Sequence, residues 1–135
     1  MRPSRSRPEF FLDRSLGGRD VAAALRRAGW IVRAHHEVYG DRDQEVEDIE
    51  WLELCGRQGW PALTMDRRIR YRSAEIASVR RYRVKLFALT SGNLTAADQA
   101  ERFIRNEARI EAACEQSGPF MYSVHADRIV RIFPR

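Results

Sequence analysis

The feature that most constrains this chain is a regular exchange of short apolar runs with segments of helical spacing through its first ninety residues. "EFFL" (9–12) reads as a buried strand. "GGRD" turns the chain into a helix with Val21, Ala24, Leu25 and Ala28 at helical spacing on one face, closed by Gly29. "WIVRAHH" (30–36) reads as a second strand, "VYGDRDQ" (38–44) as a loop, and "EVEDIEWLELCGRQG" (45–59) as the next helix, again ended by glycine. "WPALTM" predicts a third strand, with Pro61 tolerable near its start. "RSAEIASVRRY" (72–82) predicts a helix and "VKLFALT" (84–90) a fourth strand ending in the turn "SGN". Alternation of this kind implies a parallel sheet with helices on its faces.

From Thr95, "TAADQAERFIRNEARIEAACEQSG" predicts one long helix with a start resembling a capping box. After Gly118-Pro119, "FMYSVH" and "RIVRIF" predict a hairpin, with no placement relative to the sheet. Residues 1–8, rich in Pro, Ser and Arg, read as a flexible basic arm, and residues 9–135 as a single domain. Cys55 and Cys114 both fall in helical stretches, where they read as reduced, partly buried thiols rather than a zinc site or a disulfide framework. No run approaches the ~18 apolar residues of a membrane span, and the basic N-terminus lacks the apolar core of a secretory signal. The expected location is the cytoplasm.

Parallel strands all point one way, so their carboxyl ends share an edge, and sites in open sheets form there. Asp13 and Asp66 each end an apolar run and should reach that edge. The helix at 45–59 runs back from it, so its first turn, with Asp48, starts there too. Trp51, Leu52 and Cys55 follow Asp48 at three, four and seven positions, which puts Asp48 on the apolar face. Glu47, Glu50 and Glu53 form a solvated stripe instead. An inward carboxylate needs an arginine, a hydrogen-bonding partner or a metal ion. Three converging carboxylates fit Mg²⁺ or Mn²⁺, which take oxygen ligands. The alternative is that Asp13 caps the following helix while Asp48 pairs with Arg14 or Arg67.

The charge balance is 24 basic against 19 acidic residues, and every basic residue but Lys85 is arginine. Arg67, Arg68, Arg70 and Arg72 leave the proposed site directly, with Arg80, Arg81 and Arg83 before the fourth strand. Arginines around a metal suit a polyanionic substrate with its phosphates held by guanidinium groups; a solvated face that balances the acids is the rival account. His35, His36 and His125 read as structural. Thr90, Ser91 or Asn93 could add an oxygen ligand or bind phosphate. No phosphate-cradling Gly-x-x-x-x-Gly-Lys loop, Gly-x-Gly-x-x-Gly or serine nucleophile elbow is present.

"FFLDRSLG", "VEDIEWLELCGRQGWPALTMDRRIRYRSAE" and "GNLTAADQAERFIRN" resemble the PIN-domain ribonucleases, in particular a compact VapC-type toxin branch. The resemblance runs from about Phe10 to Asn106, and "GPFMYSVHADRIVRI" fits the branch's C-terminal end. It implies a three-layer α/β/α sandwich around a mainly parallel sheet, with a C-terminal β-hairpin. It also implies Mg²⁺- or Mn²⁺-dependent RNA cleavage and a cognate antitoxin that blocks the acidic site, and it leaves homodimerisation open. By position, Asp13 matches the family's acid after the first strand, Asp48 the acid opening the helix before the third, and Asp66 the Asp of "LTMD". Many PIN nucleases have a fourth acid; Asp43, Glu45 and the "SGN" turn are all candidates here, and Arg14 stands where compact relatives often have another acid.

The expected function is therefore a metal-dependent endoribonuclease, the toxin of a toxin–antitoxin pair. Asp13, Asp48 and Asp66 would hold the metal, and Arg14, Arg67, Arg68 and Arg70 the RNA. A non-catalytic RNA- or partner-binding module with an incomplete acidic site is the alternative. A phosphoacceptor receiver domain ranks third, because it needs a lysine ending a late strand and Lys85 begins one.

Overall fold

The computed structural model describes residues 7–134. The arm expected over residues 1–8 lies outside them except for Arg7 and Pro8. Arg7 donates to the carbonyl of Gly29 at 2.8 Å and meets Glu107 at 3.4 Å.

The predicted alternation builds β1 (Glu9–Leu12), α1 (Gly18–Arg27), β2 (Ile31–Ala34), α2 (His35–Tyr39), α3 (Asp48–Gln58), β3 (Ala62–Thr64), α4 (Ser73–Tyr82), β4 (Lys85–Leu89), α5 (Ala96–Arg105), α6 (Glu107–Cys114), β5 (Phe120–Val124) and β6 (Ile129–Phe133). The strands form one six-stranded sheet in the order β2-β1-β3-β4-β5-β6. Every pairing is parallel except β5 with β6.

The pleat sends alternate residues to opposite faces. Phe10 and Leu12 join Val21 and Leu25 of α1, Phe103 of α5 and Ile110 of α6 in one cluster. Phe11, between them, faces the other way, against Trp51, Leu52 and Cys55 of α3 and Val79 of α4. Its ring is fully buried and stacks on Trp51 with centroids 5.4 Å apart. Burial of a side chain this size is worth about 1.5–3 kcal/mol. The result is the α/β/α sandwich, with α1, α5 and α6 on one face and α3 and α4 on the other.

Strand β1 lies between β2 and β3, so the connections leaving and re-entering there pass over opposite faces. Such a reversal of strand order opens a crevice beyond the strands' carboxyl ends. That crevice lies beyond Leu12 and Thr64.

Several local expectations are corrected. The buried face of α1 is Val21, Ala22 and Leu25, whereas Ala28 is exposed. The second strand stops at Ala34, and His35 and His36 open α2, so they do not point to opposite sides of a strand. The expected loop at 38–44 holds the end of α2 and a 3-10 turn, Gly40–Arg42. The long helix breaks in two at Asn106, where φ is −101° and ψ is 12°. Its fully buried amide donates to the carbonyls of Arg102 at 2.8 Å and His125 at 2.9 Å. A buried asparagine whose side chain bonds one carbonyl of its own helix and one beyond it competes with continued helix. Thr95 does cap α5, accepting from the amide of Asp98 at 3.1 Å. The hairpin is integral to the sheet, because β5 pairs parallel with β4 from Lys85–Phe120 to Leu89–Val124 and leaves β6 at the edge. Cys55 is buried and Cys114 half-buried, both free. Among the described residues no helix is long and apolar enough to cross a membrane.

Candidate active site

Asp13 follows the last residue of β1, and its amide donates to the carbonyl of Leu63 on β3 at 3.0 Å. Its side chain is 6% exposed. One oxygen, Oδ2, accepts from Thr64 Oγ1 at 2.7 Å and from Ser15 Oγ at 2.7 Å. Ser15 Oγ in turn accepts from the amide of Met65 at 2.9 Å. Desolvation by burial pushes the Asp13 carboxyl above its ordinary value; the two hydroxyls oppose that, and the Asp48 charge adds to it. Asp13 does not cap α1, whose start has no side-chain cap.

Thr64 ends β3 fully buried, and its hydroxyl also accepts from the amide of Asp66 at 3.0 Å. Asp66 caps the 3-10 helix Arg67–Tyr71, with Oδ1 accepting from the amide of Arg68 at 3.0 Å. Its other oxygen accepts from Arg72 at 2.8 Å. The same Arg72 nitrogen reaches Asp48 Oδ2 at 3.3 Å. Asp48 opens α3, and its Oδ1 accepts from Trp51 Nε1 at 2.9 Å. Contacts thus run unbroken from Asp13 through Thr64 to Asp66, and through Arg72 to Asp48.

Sequence reasoning brought the three acids to one edge, and the structure joins them there. It did not find the groups that join them. Arg72 was expected on the substrate side; the alternative reading paired Asp48 with Arg14 or Arg67, but the arginine that meets it is Arg72. Arg14 instead donates to the carbonyl of Asp43 at 2.6 Å, and Arg67 to that of Thr90 at 2.9 Å. Ser15 and Thr64 were not singled out, although a hydroxyl at a strand's carboxyl end beside an aspartate is a signal that could have found Thr64. Trp51 was read only as a marker of the apolar face, yet its indole N–H holds Asp48.

Among the other candidates, Asp43 is engaged by His35, with Oδ1 and Nδ1 2.5 Å apart, and lines with Asp13 a cavity of about 220 Å³. Glu45 lines other cavities, formed with Glu47 and neighbouring residues. Thr90 accepts from Arg102 at 3.0 Å and stands at the end of β4. Arg67, Arg68 and Arg70 line a cavity of about 540 Å³ beyond β4 and β5. Arg80, Arg81 and Arg83 do not join them. They lie where α4 has run back to the opposite edge, with Arg80 over the Phe133 ring at 5.2 Å.

No three carboxylate, imidazole or thiol side chains among the described residues stand grouped closely enough to hold one ion as they lie. In chemical type the donors suit a hard divalent cation, since all three are carboxylate oxygens, and a guanidinium sits as counter-charge between Asp48 and Asp66.

A family model described as a PIN like domain matches residues 8–91, which span β1 to β4 and all three acids. A Mycobacterium tuberculosis protein provisionally named ribonuclease VapC45 is 35% identical over 124 residues, covering 91% of this chain and 90% of that protein. No solved structure matches the chain.

Proposed function

The chain belongs to the PIN-like domain family, and from that premise we propose that it is a divalent-metal-dependent endoribonuclease, the toxin of a toxin–antitoxin pair. The observation that carries the reading is the run of contacts from Asp13 through Thr64, Asp66 and Arg72 to Asp48, at the crevice where the strand order reverses. Asp13, Asp48 and Asp66 would hold Mg²⁺ or Mn²⁺. Bound there, the ion would supply Lewis acidity toward a phosphodiester.

The chain's own groups do the rest. Thr64 and Ser15 hold Asp13 in one orientation through Oδ2, the indole N–H of Trp51 holds Asp48, and the Arg68 amide holds Asp66. These fixed orientations reduce what the site must reorganise when a charged ligand arrives. Arg72 keeps two carboxylates from repelling one another while no metal is bound. Arg67, Arg68 and Arg70 leave the site directly and suit RNA phosphates. The relative's VapC-type name supports a cognate antitoxin as partner.

The second reading is a PIN-like module that binds RNA or a partner without cleaving it. What favours it is that Arg72 occupies the space between Asp48 and Asp66 and that the described side chains form no ready metal group. Cleavage of a mixed structured RNA by partner-free protein separates the two. It is run with Mg²⁺, with Mn²⁺ and with chelator, beside Asp66→Asn. The nuclease reading expects metal-dependent cleavage that Asp66→Asn loses by at least about a hundredfold, the scale on which removal of one electrostatic element of a site acts. Full cleavage by Asp66→Asn refutes it, and RNA binding without turnover by folded wild type establishes the second reading.

A further inference from the structure

Apart from Arg68, whose amide caps Asp66, the residues lining the 540 Å³ cavity hold none of the three acids, yet its walls are not those of an idle surface. One wall is the 3-10 helix Arg67–Tyr71, which starts directly after Asp66; the other is the carboxyl ends of β4 and β5 with the inner side of β6. None of the residues lining it is acidic, and three are arginines. The cavity of about 430 Å³ beside α3 is the opposite case, lined by Glu45, Glu47, Glu50 and Glu53, and would repel a polyanion. Its volume falls in the ~300–1,000 Å³ typical of small-ligand sites.

Tyr71 stands at its mouth and is 69% exposed, more than Ile31, Ile49 or Val130, which are also exposed. An aromatic ring left this open gives up the free energy of burial unless a ligand covers it. The Arg70 guanidinium lies 4.7 Å from the ring centroid, so ring and cation already form a stacking unit. Deeper in, Ser123 Oγ and His125 Nε2 are 3.2 Å apart and offer a hydrogen-bonding edge between the apolar walls of Leu89 and Val130. Burial and the nearby Arg128 and Arg102 charges lower the His125 pKa, with Asp127 opposing them. Arginines at the rim, an open ring and a polar floor suit a nucleobase on a phosphodiester chain better than a free anion.

We propose that this cavity is a nucleotide-base subsite, in which one base of single-stranded RNA stacks on Tyr71 and presents its edge to Ser123 and His125. Arg67 and Arg70 hold the adjoining phosphates. The proposal rests on the RNA-binding part of the proposed function and not on turnover. It places a base-binding residue next to the acids, since the helix carrying Tyr71 is capped by Asp66 itself.

The test is binding of a short fluorescently labelled single-stranded RNA, read by anisotropy in chelator at fixed salt, so that no cleavage intervenes. Tyr71→Ala is expected to weaken binding about 5- to 150-fold, the range for loss of one stacked base. Tyr71→Phe, which keeps the ring, is expected to bind within about twofold of wild type. A set of strands each lacking one base should contain one that binds wild type poorly and is indifferent to Tyr71→Ala. The proposal is overturned if wild type does not bind the strand, if Tyr71→Ala binds as wild type does, or if every abasic strand loses affinity equally in both proteins. Because the readout needs no metal, a negative result here leaves the nuclease proposal standing, and loss of the nuclease proposal leaves this one testable.

Discussion

Thr64 is the hinge of the acidic site, and replacing it by valine isolates what its hydroxyl does. The side chain is fully buried and makes two bonds of different kinds: it donates to the Asp13 carboxylate at 2.7 Å and accepts from the Asp66 amide at 3.0 Å. Valine keeps the branched shape and removes both. A bond to a charged group is worth about 1.5–3 kcal/mol and one between neutral groups about 1 kcal/mol, so Thr64→Val should cost about 2–4 kcal/mol at pH 7. For a domain of this size that lowers Tm by roughly 10 °C. Thr64→Ser keeps the hydroxyl and loses one buried methyl, at about 1 kcal/mol. The expected order in a thermal or urea melt is therefore wild type, then Thr64→Ser, then Thr64→Val. If packing alone set the value of this position, valine would be the milder change. A Thr64→Val protein that melts with or above Thr64→Ser refutes the hydroxyl argument.

Tyr39 offers a pH test. Its hydroxyl is buried without a hydrogen-bond partner among the described residues, and burial, with the Glu50 and Cys55 charges adding and Arg42 opposing, pushes its pKa from 10.0 to about 12. A raised folded pKa means that the native state holds its proton longer, so the wild type keeps full stability below pH 10 and loses it as pH rises toward about 12. Tyr39→Phe should melt at or slightly above wild type at pH 8, by up to about 1 kcal/mol, and should lack that alkaline loss in urea titrations. For Arg72→Gln, calorimetric titration with Mn²⁺ is expected to show about two- to fivefold tighter binding, the scale of a partly exposed ion pair no longer competing for Asp48 and Asp66. Weaker binding would mean that the arginine supports the metal rather than substituting for it.

The sequence by itself determined the elements and the reach of the acids. The short apolar run "EFFL" and the spacing of Asp48 to Trp51, Leu52 and Cys55 are short-range patterns, set by the geometry of one strand or one helix turn. Since parallel strands share a carboxyl edge, the same local reading carried Asp13 and Asp66 there. The tertiary structure decided what those residues touch. Thr64 lies 51 positions from Asp13, and Arg72 lies 24 from Asp48. Bonds over such separations depend on strand order and on how the chain turns after β3, where the 3-10 helix swings Arg72 back onto the acids. The break at Asn106 is of the same kind, because the helical pattern runs through it and only the distant carbonyl of His125 supplies the competing bond. Local periodicity reports which face of an element is apolar; which distant polar groups meet is settled only when packing brings the elements together.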